Sequence, residues 1–294
     1  LLIENGRCVG VEYKHDGSLT TARCNGEVIV CSGAFGSPRL LLLSGIGPAD
    51  DLTALGIDVV ADLPGVGRNL QDHVLLAGVI YESNAQLPPP VNNGVEAHIL
   101  WKSDQRMTAP DIQPLIVEFP FPTPELADQA PAMGYTILPS LIRPTSRGVV
   151  KLTSADPAAD LHIDMNFLAS PGDRAALHAA LALSRQLGEA DAFKSFRKRE
   201  VMPGTLSGEE LEDFIRTSAT TYFHPTSSCR MGLDEFSVVD PELKVYGIEG
   251  LRIADASIMP EITSGNTNAP SVLIGERCSD YLSATNPVNR GDKD

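Results

Sequence analysis

Val28-Ile29-Val30-Cys31-Ser32-Gly33-Ala34-Phe35-Gly36-Ser37-Pro38-Arg39-Leu40-Leu41-Leu42-Leu43-Ser44-Gly45 is the stretch that decides the fold. The continuous apolar run Val28 to Cys31 fits a strand buried on both faces, as in a parallel sheet. Small residues follow at Ser32, Gly33 and Ala34, where another backbone or a ligand can come close. Ser37 suits a helix cap, Pro38 the first helical position and Gly45 the C-terminal stop. The helix is therefore expected to open at Pro38. Taken alone, the segment is a strand, a tight turn and a capped helix, with no ligand required.

Upstream, Leu1 to Tyr13 is strand-like and broken by the turn pair Asn5-Gly6, and a second turn falls at Asp16-Gly17. Downstream, a short helix is predicted from Pro48 to Leu55, stopped by Gly56. Strand-like Ile57 to Ala61 then leads to the loop Pro64-Gly65-Val66-Gly67-Arg68-Asn69-Leu70-Gln71-Asp72-His73. Strand, helix and strand in that order indicate an α/β sandwich.

From about Val74 the texture changes. Short β-like pieces (Leu75 to Glu82, Ile112 to Glu118, Gly148 to Thr153) alternate with proline-rich stretches at Pro88-Pro89-Pro90 and Phe119 to Pro124. This predicts a mostly antiparallel sheet with long, extended loops. Ser170-Pro171-Gly172-Asp173 opens a helix with Leu177, Leu181 and Ser184 on one face. Ser207-Gly208-Glu209-Glu210 opens another, with Leu211, Phe214 and Ile215 as its apolar face. Past Thr221 the α/β texture returns, with a strand at Leu251 to Ala254 and a final helix from Pro270 to Leu282. The polar tail Asn286 to Asp294 is expected to be disordered. The fold class is thus α/β, α+β overall. One domain is interrupted by another, so that the ends belong together and the middle is an insertion.

The 294 residues carry 38 acidic against 23 basic side chains, a net charge of −15. That balance argues against nucleic acid and against an anionic membrane surface. No apolar run approaches the roughly 18 to 20 residues of a spanning helix. Cys8, Cys24, Cys31, Cys229 and Cys278 are scattered and odd in number, so neither a disulfide framework nor a zinc site is expected. Reduced thiols favour a cytoplasm-like compartment. The chain begins at Leu1 in what reads as a strand in progress, and is expected to be the later part of a longer protein.

Three segments hold the residues suited to chemistry. In Phe223-His224-Pro225-Thr226-Ser227-Ser228-Cys229-Arg230-Met231-Gly232, His224 sits in a loop fixed by proline and flanked by small hydroxyl residues. It is better placed for acid–base work than His15 in a charged turn or His178 on a helix. A packed or surface histidine is the plainer reading. In Gly250-Leu251-Arg252-Ile253-Ala254-Asp255-Ala256, Asp255 follows a short apolar strand. There a carboxylate can accept hydrogen bonds from a ligand's hydroxyl groups, or serve as a turn or cap residue. Asn266 and Asn268 precede the last helix, whose positive end favours developing negative charge; ordinary capping is the alternative. The third segment is Gly33 to Gly47.

Together, these segments resemble the GMC (glucose–methanol–choline) oxidoreductases, a family of FAD enzymes. Gly33 to Gly47 fits the family's second signature, and Asn69-Leu70-Gln71-Asp72-His73 matches another landmark. His224 to Gly232 and Asp255 to Pro270 look most like the bacterial choline-dehydrogenase and alcohol-dehydrogenase-like branch. The resemblance runs from Leu1 to about Ser283. The family's N-terminal Gly-x-Gly-x-x-Gly, which holds the FAD pyrophosphate, has no counterpart here. The resemblance therefore implies the C-terminal half to two-thirds of a member, with the missing FAD-binding segment as its partner.

The resemblance implies a Rossmann-like FAD-binding domain at 1–74, returning at 216–283, a substrate domain at 75–215 and a tail at 284–294. It implies oxidation of a small-molecule alcohol, with His224 as the base and Asn266 as a second polar partner of the substrate oxygen. Ser32, Gly33 and Ala34 would contact FAD near its adenosine half, and Asp255 and Ala256 its ribityl–pyrophosphate region. Asn266, Thr267 and Asn268 would lie by the pyrimidine edge of the ring. A lyase that keeps FAD without net redox change, and an inactive remnant, are the competing functions.

Overall fold

The computed structural model describes residues 1–87 and 95–285. Pro88-Pro89-Pro90 and the tail from Asn286 lie outside the described residues. Among the described residues the α-helices are α1 (Gly33–Leu43), α2 (Ala49–Ala54), α3 (Pro171–Gly188), α4 (Gly208–Ser218) and α5 (Asn268–Thr285). The chain forms two compact units, the first from 1–71, 147–165 and 225–294 and the second from 72–146 and 166–224.

The first unit opens with the antiparallel strands Leu2–Glu4, Arg7–His15 and Ser18–Arg23. Their turns are the expected ones: Asn5-Gly6 and Asp16-Gly17 all have positive φ, as a tight two-residue hairpin requires. The strand Val28–Val30 pairs in parallel with Leu251–Ile253, so segments more than two hundred residues apart share one sheet. Arg252, fully buried on the second of these strands, donates from Nε to Glu27 Oε2 at 2.6 Å and from Nη2 to Oε1 at 3.2 Å. A buried guanidinium needs such a fork of acceptors. Val30, Leu41, Leu42, Ile253 and Ile258 pack in the unit's main core.

Helix α1 departs from expectation. It opens at Gly33, and Pro38 lies inside it rather than at its first position. An internal proline has no N–H for the carbonyl four residues back, that of Ala34. Ser228 supplies the missing donor, its hydroxyl reaching the Ala34 carbonyl at 2.5 Å. A tertiary contact thus replaces the lost helical bond. Helix α2 follows the prediction, with Gly56 at φ 72 beyond its end. The expected strand at Ile57 to Ala61 shrinks to Ala61–Asp62, paired in parallel with Ile46–Gly47. Ile57 packs against the core, but Asp58, Val59 and Val60 are exposed, so the residues leading into the strand lack a buried face. Helix α5 starts at Asn268, ahead of Pro270, and runs through Thr285 into the expected tail.

The boundaries also differ. Residues 147–165 pack in the first unit, not with the central insertion. They form an antiparallel hairpin, Val149–Leu152 with Leu161–Asp164. Val150 N donates to Gly67 O at 2.7 Å and Gly148 N to Leu70 O at 2.8 Å. Val150 also joins Ala34 and Leu70 in a small apolar cluster. These contacts outweigh sequence proximity to the neighbouring strands.

The second unit is mostly antiparallel, as predicted. Its five-stranded sheet runs in the order Arg197–Met202, Val79–Ser83, Gly134–Leu138, Leu115–Val117 and Val95–His98. A smaller sheet pairs Val74–Leu76 with Ser140–Leu141 on one side and Ala219–Thr221 on the other. Ser170 caps α3 by accepting from Gly172 N at 3.2 Å. Leu177, Leu181 and Ser184 are buried along it, as the spacing predicts. Phe214 and Ile215 bury the corresponding face of α4. No described helix is long and apolar enough to cross a membrane.

Candidate active site

In the second unit the loop after the small sheet carries His224. Two residues quoted only as part of a landmark, Asp72 and His73, hold it. The Asp72 carboxylate accepts the His224 backbone N–H at 3.0 Å through Oδ1 and the Thr221 hydroxyl through Oδ2. Thr221 Oγ1 in turn accepts the Phe223 N–H at 2.8 Å, and Tyr222 N donates to His73 O at 3.1 Å. Every backbone N–H from Tyr222 to His224 is thereby engaged. The loop needs that support, because Phe223 sits at φ 61, a left-handed conformation costly for a bulky residue.

The imidazoles of His73 and His224 meet through their Nδ1 atoms at 3.0 Å, with ring centroids 5.0 Å apart and planes at 81°. The Tyr222 ring lies 4.7 Å from that of His224. His73 is fully buried and His224 half-buried. Burial pushes the His224 imidazole below its ordinary value, so it is neutral at pH 7 and able to take up a proton. Burial also pushes the Tyr222 phenol up to about 12. The Asp72 carboxyl is pushed up to about 6, because desolvation outweighs the hydrogen bonds it accepts.

The first unit holds the remaining predicted residues. Ser32, Gly33 and Ala34 stand at the carboxyl end of Val28–Val30. Asp255 and Ala256 stand at the carboxyl end of its parallel partner, Leu251–Ile253. These two groups are brought together. Asp255 Oδ2 accepts the Gly33 N–H at 3.0 Å and the Ser37 hydroxyl at 2.5 Å, while Oδ1 accepts the Ser257 N–H at 2.8 Å. Ala256 O accepts the Ser227 N–H at 3.1 Å. Asp255 is therefore a cap as well as a link between the two strand ends. Asn266 and Asn268 are exposed and Thr267 buried at the start of α5. Thr267 O accepts both the amide and the hydroxyl of Ser271, at 3.0 and 2.7 Å. His224 belongs to one unit and Asn266 to the other.

The first unit's residues fit a dinucleotide-type cofactor. Ligands of open α/β sheets bind beyond the carboxyl ends of parallel strands. Here one such end leads into the N-terminus of α1, where helical amides favour an anionic group. Gly33 lies at φ +76, and a Cβ added to it would meet nothing within 4 Å, so open space lies before this turn. Ser32 beside it is exposed.

Sequence reasoning missed the partners of His224. The signal was present in the adjacency of Asp72 and His73, but their bonds to the His224 loop span about 150 residues and leave no local pattern.

Two family models, both described as GMC oxidoreductase, match residues 1–75 and 144–275. An oxygen-dependent choline dehydrogenase of Sinorhizobium medicae is 35% identical over 328 aligned positions, which take in 100% of this chain and 58% of that protein. The chain thus spans little more than half the length of this relative. The crystal structure of pyridoxine 4-oxidase from Mesorbium loti superposes with a TM-score of 0.90 at 34% identity, covering 95% of this chain and 55% of that one. A formate oxidase structure superposes with a TM-score of 0.85 at 27% identity, covering 98% and 59%.

Proposed function

The chain belongs to the GMC oxidoreductase family, and from that premise we propose that it forms part of an FAD-dependent enzyme oxidising an alcohol to an aldehyde or ketone. Bound FAD supplies the acceptor for the hydride that leaves the alcohol carbon. Ser32, Gly33 and Ala34 hold its adenosine half, and Asp255 and Ala256 its ribityl–pyrophosphate region. Asn266, Thr267 and Asn268 serve the pyrimidine edge of the ring, where the N-terminus of α5 favours negative charge.

His224 takes the hydroxyl proton. An alcohol yields hydride more readily as it becomes an alkoxide, and a neutral imidazole is suited to accepting its proton. Asn266 hydrogen-bonds the substrate oxygen and orients it. Asparagine cannot act as a base, which leaves the proton transfer to His224. The observation that supports this reading is the imidazole of His224, neutral at pH 7 through burial and held at backbone and ring by Asp72 and His73.

The test is anaerobic mixing of the flavin-loaded protein with a panel of alcohols, followed by flavin absorbance. Bleaching by at least one alcohol is expected. A flavin that keeps its colour with every alcohol overturns the reading, and cyanohydrin cleavage under those conditions assigns a lyase instead.

A further inference from the structure

We propose that His73 is a positioning residue that holds His224 in the tautomer able to act as a base, through the Nδ1–Nδ1 hydrogen bond between the two rings. The inference rests on the reading of His224 as the base and adds the reason its ring is ready for that role.

At 3.0 Å the two Nδ1 atoms share one proton, because two lone pairs, or two N–H groups, would repel at that distance. Two arrangements satisfy the bond. In one, His73 donates, and a neutral His224 then carries its own proton on Nε2. Its only basic lone pair is then on Nδ1, where it accepts the bond from His73. Such a ring takes up no proton from a substrate without breaking the contact. In the other arrangement, His224 donates from Nδ1 to His73 Nδ1, and the basic lone pair of His224 is on Nε2. Only this second arrangement lets the reaction proceed with the rings in place.

The step then balances without rearrangement. The alcohol O–H bond breaks, its proton bonds to His224 Nε2, and the electron pair stays on oxygen. His224 becomes an imidazolium whose Nδ1–H still donates to the neutral His73, now as a charge-assisted bond. The hydrogen bond is thus stronger after proton transfer than before, which is what a positioning partner must provide.

The surroundings hold His73 to this task. It is fully buried, its carbonyl accepts the Tyr222 N–H at 3.1 Å, and the preceding Asp72 secures the backbone of His224 at 3.0 Å. One dipeptide therefore fixes both the backbone and the ring of the same residue. A free imidazole has no such constraint on which nitrogen carries the proton.

Nitrogen-15 NMR of histidine-labelled protein reads the tautomer directly, with the His224 signals assigned by their loss in His224→Ala. We expect His224 protonated at Nδ1 and unprotonated at Nε2 at neutral pH. His73→Phe keeps the ring shape without an acceptor and is expected to release this tautomer. His73→Asn places an amide oxygen near the position of Nδ1 and is expected to retain it. In the flavin-loaded enzyme, His73→Phe should lower kcat by about 10- to 100-fold with KM and flavin content little changed, and His73→Asn should recover most of the loss. A His224 protonated at Nε2 in the wild type, or equal losses in both variants, overturns the proposal. Near-normal turnover in His224→Ala would instead remove the base reading, while the NMR result still decides the tautomer.

Discussion

Asp72 and Asp255 each gather backbone N–H groups and a hydroxyl with both carboxylate oxygens, one in each unit, yet their settings differ. Asp255 reaches the first turn of α1 at Gly33 and the amide of Ser257 from a half-buried position. A helix N-terminus favours such a charge. Asp72 is 3% exposed, and desolvation pushes its carboxyl up to about 6 despite the donors around it. The first arrangement is ordinary capping turned to joining two strand ends. The second accepts an unfavourable burial and in return fixes the loop on which His224 sits.

The contrast is broken most sharply by Asp72→Ala. It strands the Thr221 hydroxyl and the His224 N–H, each worth about 1–3 kcal/mol when buried without a partner. Urea unfolding should show a loss of about 3 kcal/mol, and turnover should fall by about 100-fold or more as His224 loses its position. Asp72→Asn keeps one acceptor and should lie between this variant and the wild type.

Acid titration sharpens the comparison next. Folded Asp72 binds its proton more tightly than the unfolded chain does, with a value of about 6 against 3.8. Its ionisation therefore opposes folding. Stability from this group is greatest below about pH 4 and declines, by roughly 3 kcal/mol, as pH rises through about 6. Melting temperatures across that window should show the slope in the wild type and a flatter profile in Asp72→Asn.

Asp255→Ala is expected to cost about 1–2 kcal/mol, the range of a lost cap, with flavin affinity reduced because the two strand ends separate. Calorimetry and flavin titration would check both effects. Ser228→Ala should have the smallest effect, about 1 kcal/mol, from the single bond to the Ala34 carbonyl. A cost near zero would show that Pro38 is tolerated in α1 without that donor.

These two carboxylates also mark how far the fold and the site were legible in the sequence. Hairpin turns, the parallel pairing of Val28–Val30 and the faces of α3 and α4 follow from local periodicity and turn chemistry, and all are present. The start of α1 is not legible locally, because Pro38 looks like a first-turn residue unless Ser228, nearly two hundred residues away, is taken into account. The membership of the hairpin 147–165 in the first unit leaves no local signal, because its bonds to Gly67 and Leu70 are tertiary. In the site, Asp255 showed itself by following an apolar strand. Asp72 and His73 showed only their adjacency, since what they hold lies in a loop about 150 residues on.

The role of His224 is the claim on which the functional account turns. The most direct test is single-turnover reduction of the flavin in His224→Ala by an alcohol that the wild type oxidises. The expected rate is lower by about two or more orders of magnitude, with flavin still bound. A near-normal rate would contradict it.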